Sequence, residues 1–240
     1  MRSLTVLGSC GAWPEAGRAC AGFLLEYDAF RVVLDLGYAT LPRLLEYCPG
    51  GAVDAVVVTH QHPDHCVDVS ALARVRHYEA PGADPIPLHC TPGTLEVLRA
   101  LEPRPDPAEV FDVHDLASTT RLGPFDVLAV ELPHYKTNVG VRLAAPGVSV
   151  AYTGDSGPSA ELRRLADGTD LFISDATLQG DASDEYLMTA TEAARGARGA
   201  RRLLLTHFWP GSDRAVSVRE AEAVFAGEVI AADEGLKLVL

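Results

Sequence analysis

The stretch Ala55-Val-Val-Val-Thr-His-Gln-His-Pro-Asp-His-Cys66 limits this chain more than any other. An uninterrupted run of Val56, Val57 and Val58 leaves no side for water, so it reads as a strand covered on both faces. The run stops at Thr59, and His60, His62, Asp64 and His65 follow at once. Imidazoles and a carboxylate are donors that a divalent transition metal selects. In an extended segment His60 and His62 project to the same side, because side chains alternate. Pro63 then turns the chain and lets Asp64 and His65 face a second position. One short loop can thereby serve two cations.

The rest of the chain supplies layers for such a strand. Ser3–Leu7, Gly22–Tyr27 and Phe30–Leu36 read as strands, the last two a hairpin across Asp28-Ala29. A helix over Thr40–Tyr47 precedes the valine strand. Helical spacing of Val69, Leu72 and Val75 predicts a helix over Val67–Glu79, followed by a strand at Pro85–His89 and a helix at Thr94–Leu101. Residues 102–109, with three prolines, read as a linker. The second half gives strands at Asp126–Leu132, Val139–Ala144, Val148–Thr153, Leu171–Ser174, Arg202–Thr206, Glu228–Ala231 and Leu236–Leu240. Helices at Ser159–Ala166, Thr189–Gly199 and Val216–Phe225 separate them. Strands in two sets, interleaved with helices, predict an α/β fold: two mixed sheets face to face with helices outside, a four-layer αββα sandwich. The expectation is one domain over residues 1–240.

Composition narrows the partners. A formal net charge of −13 repels phosphate backbones and argues against nucleic acid. The adjacent pairs Arg163-Arg164 and Arg201-Arg202 sit at helix-to-strand joints, where capping or solvation accounts for them. Five scattered cysteines point to a reducing compartment rather than a disulfide framework. No apolar run approaches a membrane span, and the N-terminal residues lack a signal-peptide pattern. A cytoplasmic protein acting on a small molecule is expected, and a homodimer is compatible with the chain.

Three more ligand-type residues stand where a predicted strand has just ended: His134, Asp155 and His207. Strand ends along one edge of a layered sheet are where sites gather. With His60, His62, Asp64 and His65 they make seven, enough for two metals sharing a carboxylate. His77 and His89 read as structural or surface residues, His114 as a candidate to line the pocket, and Cys66 as a small residue buried under the loop.

Several segments together resemble the metallo-β-lactamase-fold hydrolases, in particular the ribonuclease Z-like branch with its small cyclic-nucleotide and phosphoribosyl cyclic phosphodiesterases. They are Leu7-Gly-Ser-Cys-Gly, Leu34-Asp35-Leu-Gly37, Thr59-His-Gln-His-Pro-Asp-His65, Tyr152-Thr-Gly-Asp155, Ser174-Asp-Ala-Thr177 and Leu205-Thr-His207. The resemblance implies a first metal on His60, His62 and His134 and a second on Asp64, His65 and His207. Asp155 would bridge them, and Asp35 would hydrogen-bond a ligand from behind. The implied cofactor is a pair of divalent ions, Zn²⁺ first, with Mn²⁺ or Fe²⁺ as alternatives. The implied reaction is attack of a hydroxide, generated between the cations and oriented by Asp64, on a small phosphodiester, cyclic ones included.

This chain departs from the pattern in three places. Pro133-His-Tyr-Lys136 replaces the Gly-His-Thr-x-Gly of glyoxalases II, lactonases and β-lactamases. His134 and Asp155 are too close in sequence for the arm of tRNA-processing members. Leu187 stands where many phosphodiesterases carry a histidine for phosphate or leaving group. Tyr186, Tyr135 or Lys136 could take that role, and Lys136 could hold an anionic substrate group. The missing histidine keeps thioester, ester or lactone hydrolysis open as the alternative, and a non-catalytic metal-binding protein is the third reading.

Overall fold

The structure, a computed structural model, describes residues 2–240. Fourteen strands run along the described residues. The first six are β1 (Arg2–Gly8), β2 (Gly22–Tyr27), β3 (Phe30–Leu36), β4 (Ala55–Val58), β5 (Ile86–Cys90) and β6 (Phe111–Asp115). The next five are β7 (Arg121–Leu122), β8 (Phe125–Leu132), β9 (Asn138–Ala145), β10 (Val148–Tyr152) and β11 (Leu171–Asp175). β12 (Arg202–Thr206), β13 (Glu228–Ala231) and β14 (Lys237–Val239) complete the set. They form two seven-stranded sheets, in the orders β14-β1-β2-β3-β4-β5-β6 and β13-β12-β11-β10-β9-β8-β7. Each sheet is antiparallel on one side and parallel on the other.

Helices α1 (Leu41–Tyr47), α2 (Pro63–Glu79), α3 (Pro92–Leu101) and α4 (Pro107–Val110) belong to the first half, and α5 (Glu161–Ala166), α6 (Ala190–Gly196) and α7 (Arg214–Glu222) to the second. Three apolar layers result. One lies between the sheets, with Phe23, Val57, Phe125 and Tyr152. A second joins the first sheet to its helices through Leu44, Val56, Val58 and Leu72. The third joins the second sheet to its helices through Leu162, Phe172 and Leu205. This is the predicted four-layer sandwich. The valine run explains itself: Val57 packs into the inter-sheet core while Val56 and Val58 face the helices.

Two expectations need correction. α2 starts at Pro63 rather than Val67, because proline at the first helical position has its φ pre-set and no N–H to leave unpaired. Residues 102–109 are more than a linker. They contain α4, whose start is fixed by a capping box in which Asp106 and Glu109 satisfy each other's backbone N–H. Beyond α4 the chain adds edge strand β6. Among the described residues no helix is long and apolar enough to cross a membrane.

Candidate metal centre

All seven sequence-predicted ligands meet at one edge of the sandwich. His60 and His62 follow β4, and Asp64 and His65 occupy the first turn of α2. His134, Asp155 and His207 follow β8, β10 and β12. The helix start matters here. It holds Asp64 and His65 on a hydrogen-bonded turn and places a carboxylate at the positive end of the helix dipole.

The side chains fall into two groups that share Asp155, each with one ligand atom per residue inside 4.8 Å of the others. In the first, His62 Nδ1 lies 3.0 Å from His60 Nε2 and 3.1 Å from His134 Nε2. Asp155 Oδ2 is 3.9 Å from His60 Nε2 and 3.7 Å from His134 Nε2. In the second, His207 Nε2 is 3.2 Å from both Asp64 Oδ2 and Asp155 Oδ1. His65 Nε2 lies 3.2 Å from that Asp155 oxygen and 3.5 Å from Asp64 Oδ2. Asp155 therefore gives one oxygen to each group.

The donors fit divalent cations. His65 Nε2 and Asp155 Oδ1 are buried and close together, yet neither has a hydrogen bond of acceptable geometry. Three imidazole nitrogens converge at the first group, and neutral imidazoles, with one N–H each, cannot all be satisfied by pointing at one another. Imidazole and carboxylate groups aimed into one space are what zinc-like ions require.

A second layer fixes the rings. Asp35 Oδ2 accepts from His65 Nδ1 at 2.7 Å, from the Thr59 hydroxyl at 2.9 Å and from the Tyr152 hydroxyl at 2.8 Å. Its Oδ1 takes the Thr59 N–H at 2.7 Å. With His65 Nδ1 directed to Asp35, its Nε2 faces Asp64 and Asp155, where a cation would take the place of a proton. His134 Nδ1 donates to the Tyr186 carbonyl at 3.1 Å, and His207 Nδ1 pairs with the Thr177 hydroxyl at 2.8 Å. The backbone is unusual at the same spot: Ala12, Asp35 and His207 adopt positive φ of 62°, 54° and 57°, which non-glycine residues accept only when their surroundings enforce it. Two glycines allow the close approach. A Cβ on Gly154 would come within 2.6 Å of the Thr59 hydroxyl, and one on Gly37 within 1.8 Å of the Asp64 carbonyl oxygen.

Electrostatics separate the groups. Burial pulls His60, His62 and His134 below the ordinary imidazole range, so they are neutral and free to donate lone pairs. Burial opposes charge on His65 too, but the carboxylates of Asp155, Asp64 and Asp35 outweigh it and hold that ring well above its usual value. Asp64 is held down by His65 and His207 against its burial, and Asp155 by His207 and His65. Asp175 goes the other way, raised by burial and by the Asp155 charge.

The other candidates divide. Tyr186 is half-buried and touches the centre through its backbone carbonyl, with its ring 4.4 Å from that of Tyr135. Lys136 is exposed and its ammonium has no partner among the described residues. His114 does not line this site. It stacks on His89, centroids 4.8 Å apart, in a separate cavity of about 480 Å³ with Thr119 and Arg121. There burial pushes His89 down to about 4. Cys66 is buried, its thiol pushed up to about 12 by burial. Sequence reasoning missed two contacts: the Ala12 N–H donating to Asp64 Oδ2 at 2.7 Å, and the Tyr152 hydroxyl on Asp35. Nothing in the sequence signals a backbone N–H, whereas Tyr152 lies three residues before Asp155 at the end of an inward-facing strand.

Comparison with known proteins agrees with this geometry. Residues 31–208 match the family described as the beta-lactamase superfamily domain. The chain belongs to that superfamily. Within it, the chain is 29% identical over 239 residues to the probable metallo-hydrolase YhfI of Bacillus subtilis, covering 97% of both sequences. The crystal structure of YhfI superposes with a TM-score of 0.89 at 27% identity, covering 99% of this chain and 98% of that one. Ribonuclease Z of Haloferax volcanii is 26% identical over 297 residues, covering 98% of this chain and 93% of its own. A diphosphatase from the PhnP family shares the fold with a TM-score of 0.77 at 21% identity, covering 100% and 98%.

Proposed function

We propose that this protein is a metal-dependent hydrolase of small phosphodiesters, working with two divalent cations, Zn²⁺ in the first instance. The observation that carries this reading is Asp155, whose two oxygens are divided between two separate sets of imidazoles. His60, His62 and His134 would hold one ion, Asp64, His65 and His207 the other. Bound there, such ions would lower the pKa of a bound water from about 16 toward about 7 and would neutralise charge building on phosphoryl oxygens.

The chain's own groups do the rest. Asp64 Oδ2 accepts the Ala12 N–H, which fixes the carboxylate and leaves Oδ1 to orient the attacking water. The free Lys136 ammonium beside His134 holds the substrate's anionic oxygen. Tyr186, positioned by the His134 contact, supplies a proton to the departing alkoxide in place of the histidine that Leu187 replaces. The names ribonuclease and diphosphatase among the relatives support phosphorus chemistry. The third histidine and the bridging aspartate are only 21 positions apart, a span without room for a tRNA-binding arm, which favours a small substrate.

Leu187 is the observation that favours a second reading, hydrolysis of a thioester, ester or lactone; a thioester's thiolate in particular leaves without a proton from an acid. A panel of bis(p-nitrophenyl) phosphate, a thioester and a lactone, assayed with Zn²⁺ and with Mn²⁺, tests the choice. Turnover of the phosphodiester alone is expected. Turnover confined to the thioester or lactone overturns the reading, and stoichiometric metal with no turnover at all makes the protein a metal binder.

A further inference from the structure

The inner face of the first sheet continues past its cover. Val57 lies in the inter-sheet core, and the strand register places His89 beside Val57 and His114 beside His89 on that same face. The second sheet ends in β7, a strand of only two residues. Where that layer runs out, imidazoles stand in place of aliphatic side chains and the cavity of about 480 Å³ opens, lined by β7 as well as by His89 and His114. Its volume is in the range that holds small molecules. Asp54 and Ala55 line it from the start of β4, whose far end leads to His60, so the cavity is separate from the metal centre.

Hydrogen bonds fix what the lining presents. The Thr119 hydroxyl donates its one proton to the Asp115 carbonyl at 3.0 Å. Toward His89 Nδ1, 2.8 Å away, it can therefore only accept. That places the His89 proton on Nδ1 and leaves Nε2 with a lone pair, in a residue only 7% exposed and kept neutral by its burial. Nε2 has no hydrogen-bond partner among the described residues, and it is not sealed off as the orphaned atoms of the metal centre are, so it opens on the cavity. The Ser118 hydroxyl also turns its proton to the Asp115 carbonyl, at 3.2 Å, and His114 Nε2 donates to Asp112 Oδ2 at 3.0 Å. Asp54 Oδ2 accepts the Arg31 N–H at 2.8 Å, which leaves Oδ1 open. Arg121, the arginine on the lining, is already held by Asp126 at 2.7 Å. The cavity thus offers mainly acceptors and negative charge, beside apolar walls from Phe30 and Leu122. A matching ligand brings N–H groups, a positive charge and a short hydrocarbon stem.

We propose that this cavity is a second binding site, for a small primary alkylammonium ion that donates to His89 Nε2, with Asp54 supplying the opposite charge and Phe30 and Leu122 covering the methylenes. The site stands apart from the seven metal ligands and does not depend on the hydrolase reading. A net charge of −13 raises the local concentration of such cations around the whole protein.

Calorimetric titration of the metal-loaded protein with three probes of one chain length tests this. Butylammonium should saturate a single site. 1-Butanol has a donor but no charge, and butyltrimethylammonium has the charge but no N–H. Each should bind at least about tenfold more weakly. Asp54→Asn, at an exposed position, and His89→Phe, which keeps a ring without the lone pair, should each weaken butylammonium about tenfold. Nitrogen-15 NMR of the His89 ring reads the site directly. The free protein should show the Nδ1–H tautomer, and butylammonium should move the Nε2 resonance. Absence of saturation, equal binding of the three probes, affinity that survives Asp54→Asn, or an Nε2 resonance that butylammonium leaves in place each overturns the proposal. An Nε2–H tautomer in the free protein does so as well. Should His89→Phe fail to fold, Asp54→Asn and the resonance decide.

Discussion

The two ligand groups share an aspartate but are built on opposite principles. His60, His62, His134 and Asp155 bring three neutral imidazoles, two of the residues only half-buried. Asp64, His65, Asp155 and His207 bring two carboxylates, and all four residues are buried. The first is held together only weakly without an ion, because neutral rings give one another little. The second is already a charge network, with His65 ionised among carboxylates and backed by Asp35. One half of the centre is thus waiting for a cation and the other is half-satisfied by protons.

The most severe break is Asp155→Ala, which removes the shared member. If two ions are bound as proposed, mass-spectrometric metal content should show both lost, and kcat/KM should fall about a thousandfold or more. Next come His65→Gln and His62→Gln, which ought to cost similar activity but different stability. Removing buried His65 leaves Asp35, Asp64 and Asp155 facing one another, for a loss of about 3 kcal/mol in urea melts of the metal-free protein. Removing half-buried His62 should change stability by less than about 1 kcal/mol. Equal losses would erase the distinction between the groups.

pH sharpens the contrast further. In the metal-free protein the imidazoles of the first group titrate below their unfolded value. The unfolded chain therefore takes up more protons as pH falls below about 6.5, and stability drops there. His65 acts in reverse: raised in the fold, it contributes stability below about 6.5 that disappears as pH climbs through its folded value. Melts across pH should show His62→Gln flattening the acid limb and His65→Gln the alkaline one. The smallest effect belongs to Tyr152→Phe. It removes one buried hydrogen bond to Asp35, for about 1 kcal/mol and a few-fold weaker metal binding confined to the second group, checked by chelator competition.

Why the site was so legible, and its surroundings less so, follows from how each is encoded. Ligands had to stand at strand ends, and the valine run and Val148–Tyr152 announce those ends by hydrophobicity alone. β6 was missed because Phe111-Asp-Val-His-Asp115 is a short edge strand with too few alternations to stand out. From its place in the chain His114 is only a candidate to line the pocket, and the β5–β6 register sets it beside His89 instead. The loops around Gly11 and Phe208, some two hundred residues apart in sequence, are joined by hydrogen bonds that leave no periodic trace in the sequence.

Of the seven convergent side chains, four hang from one sheet and three from the other. A cation there would rivet the two halves of the sandwich, resisting any slide of one sheet across its partner. Each tenfold rise in free ion above its dissociation constant should then add about 1.4 kcal/mol of resistance to unfolding. Scarcity of the ion would accordingly loosen the molecule as well as silence it.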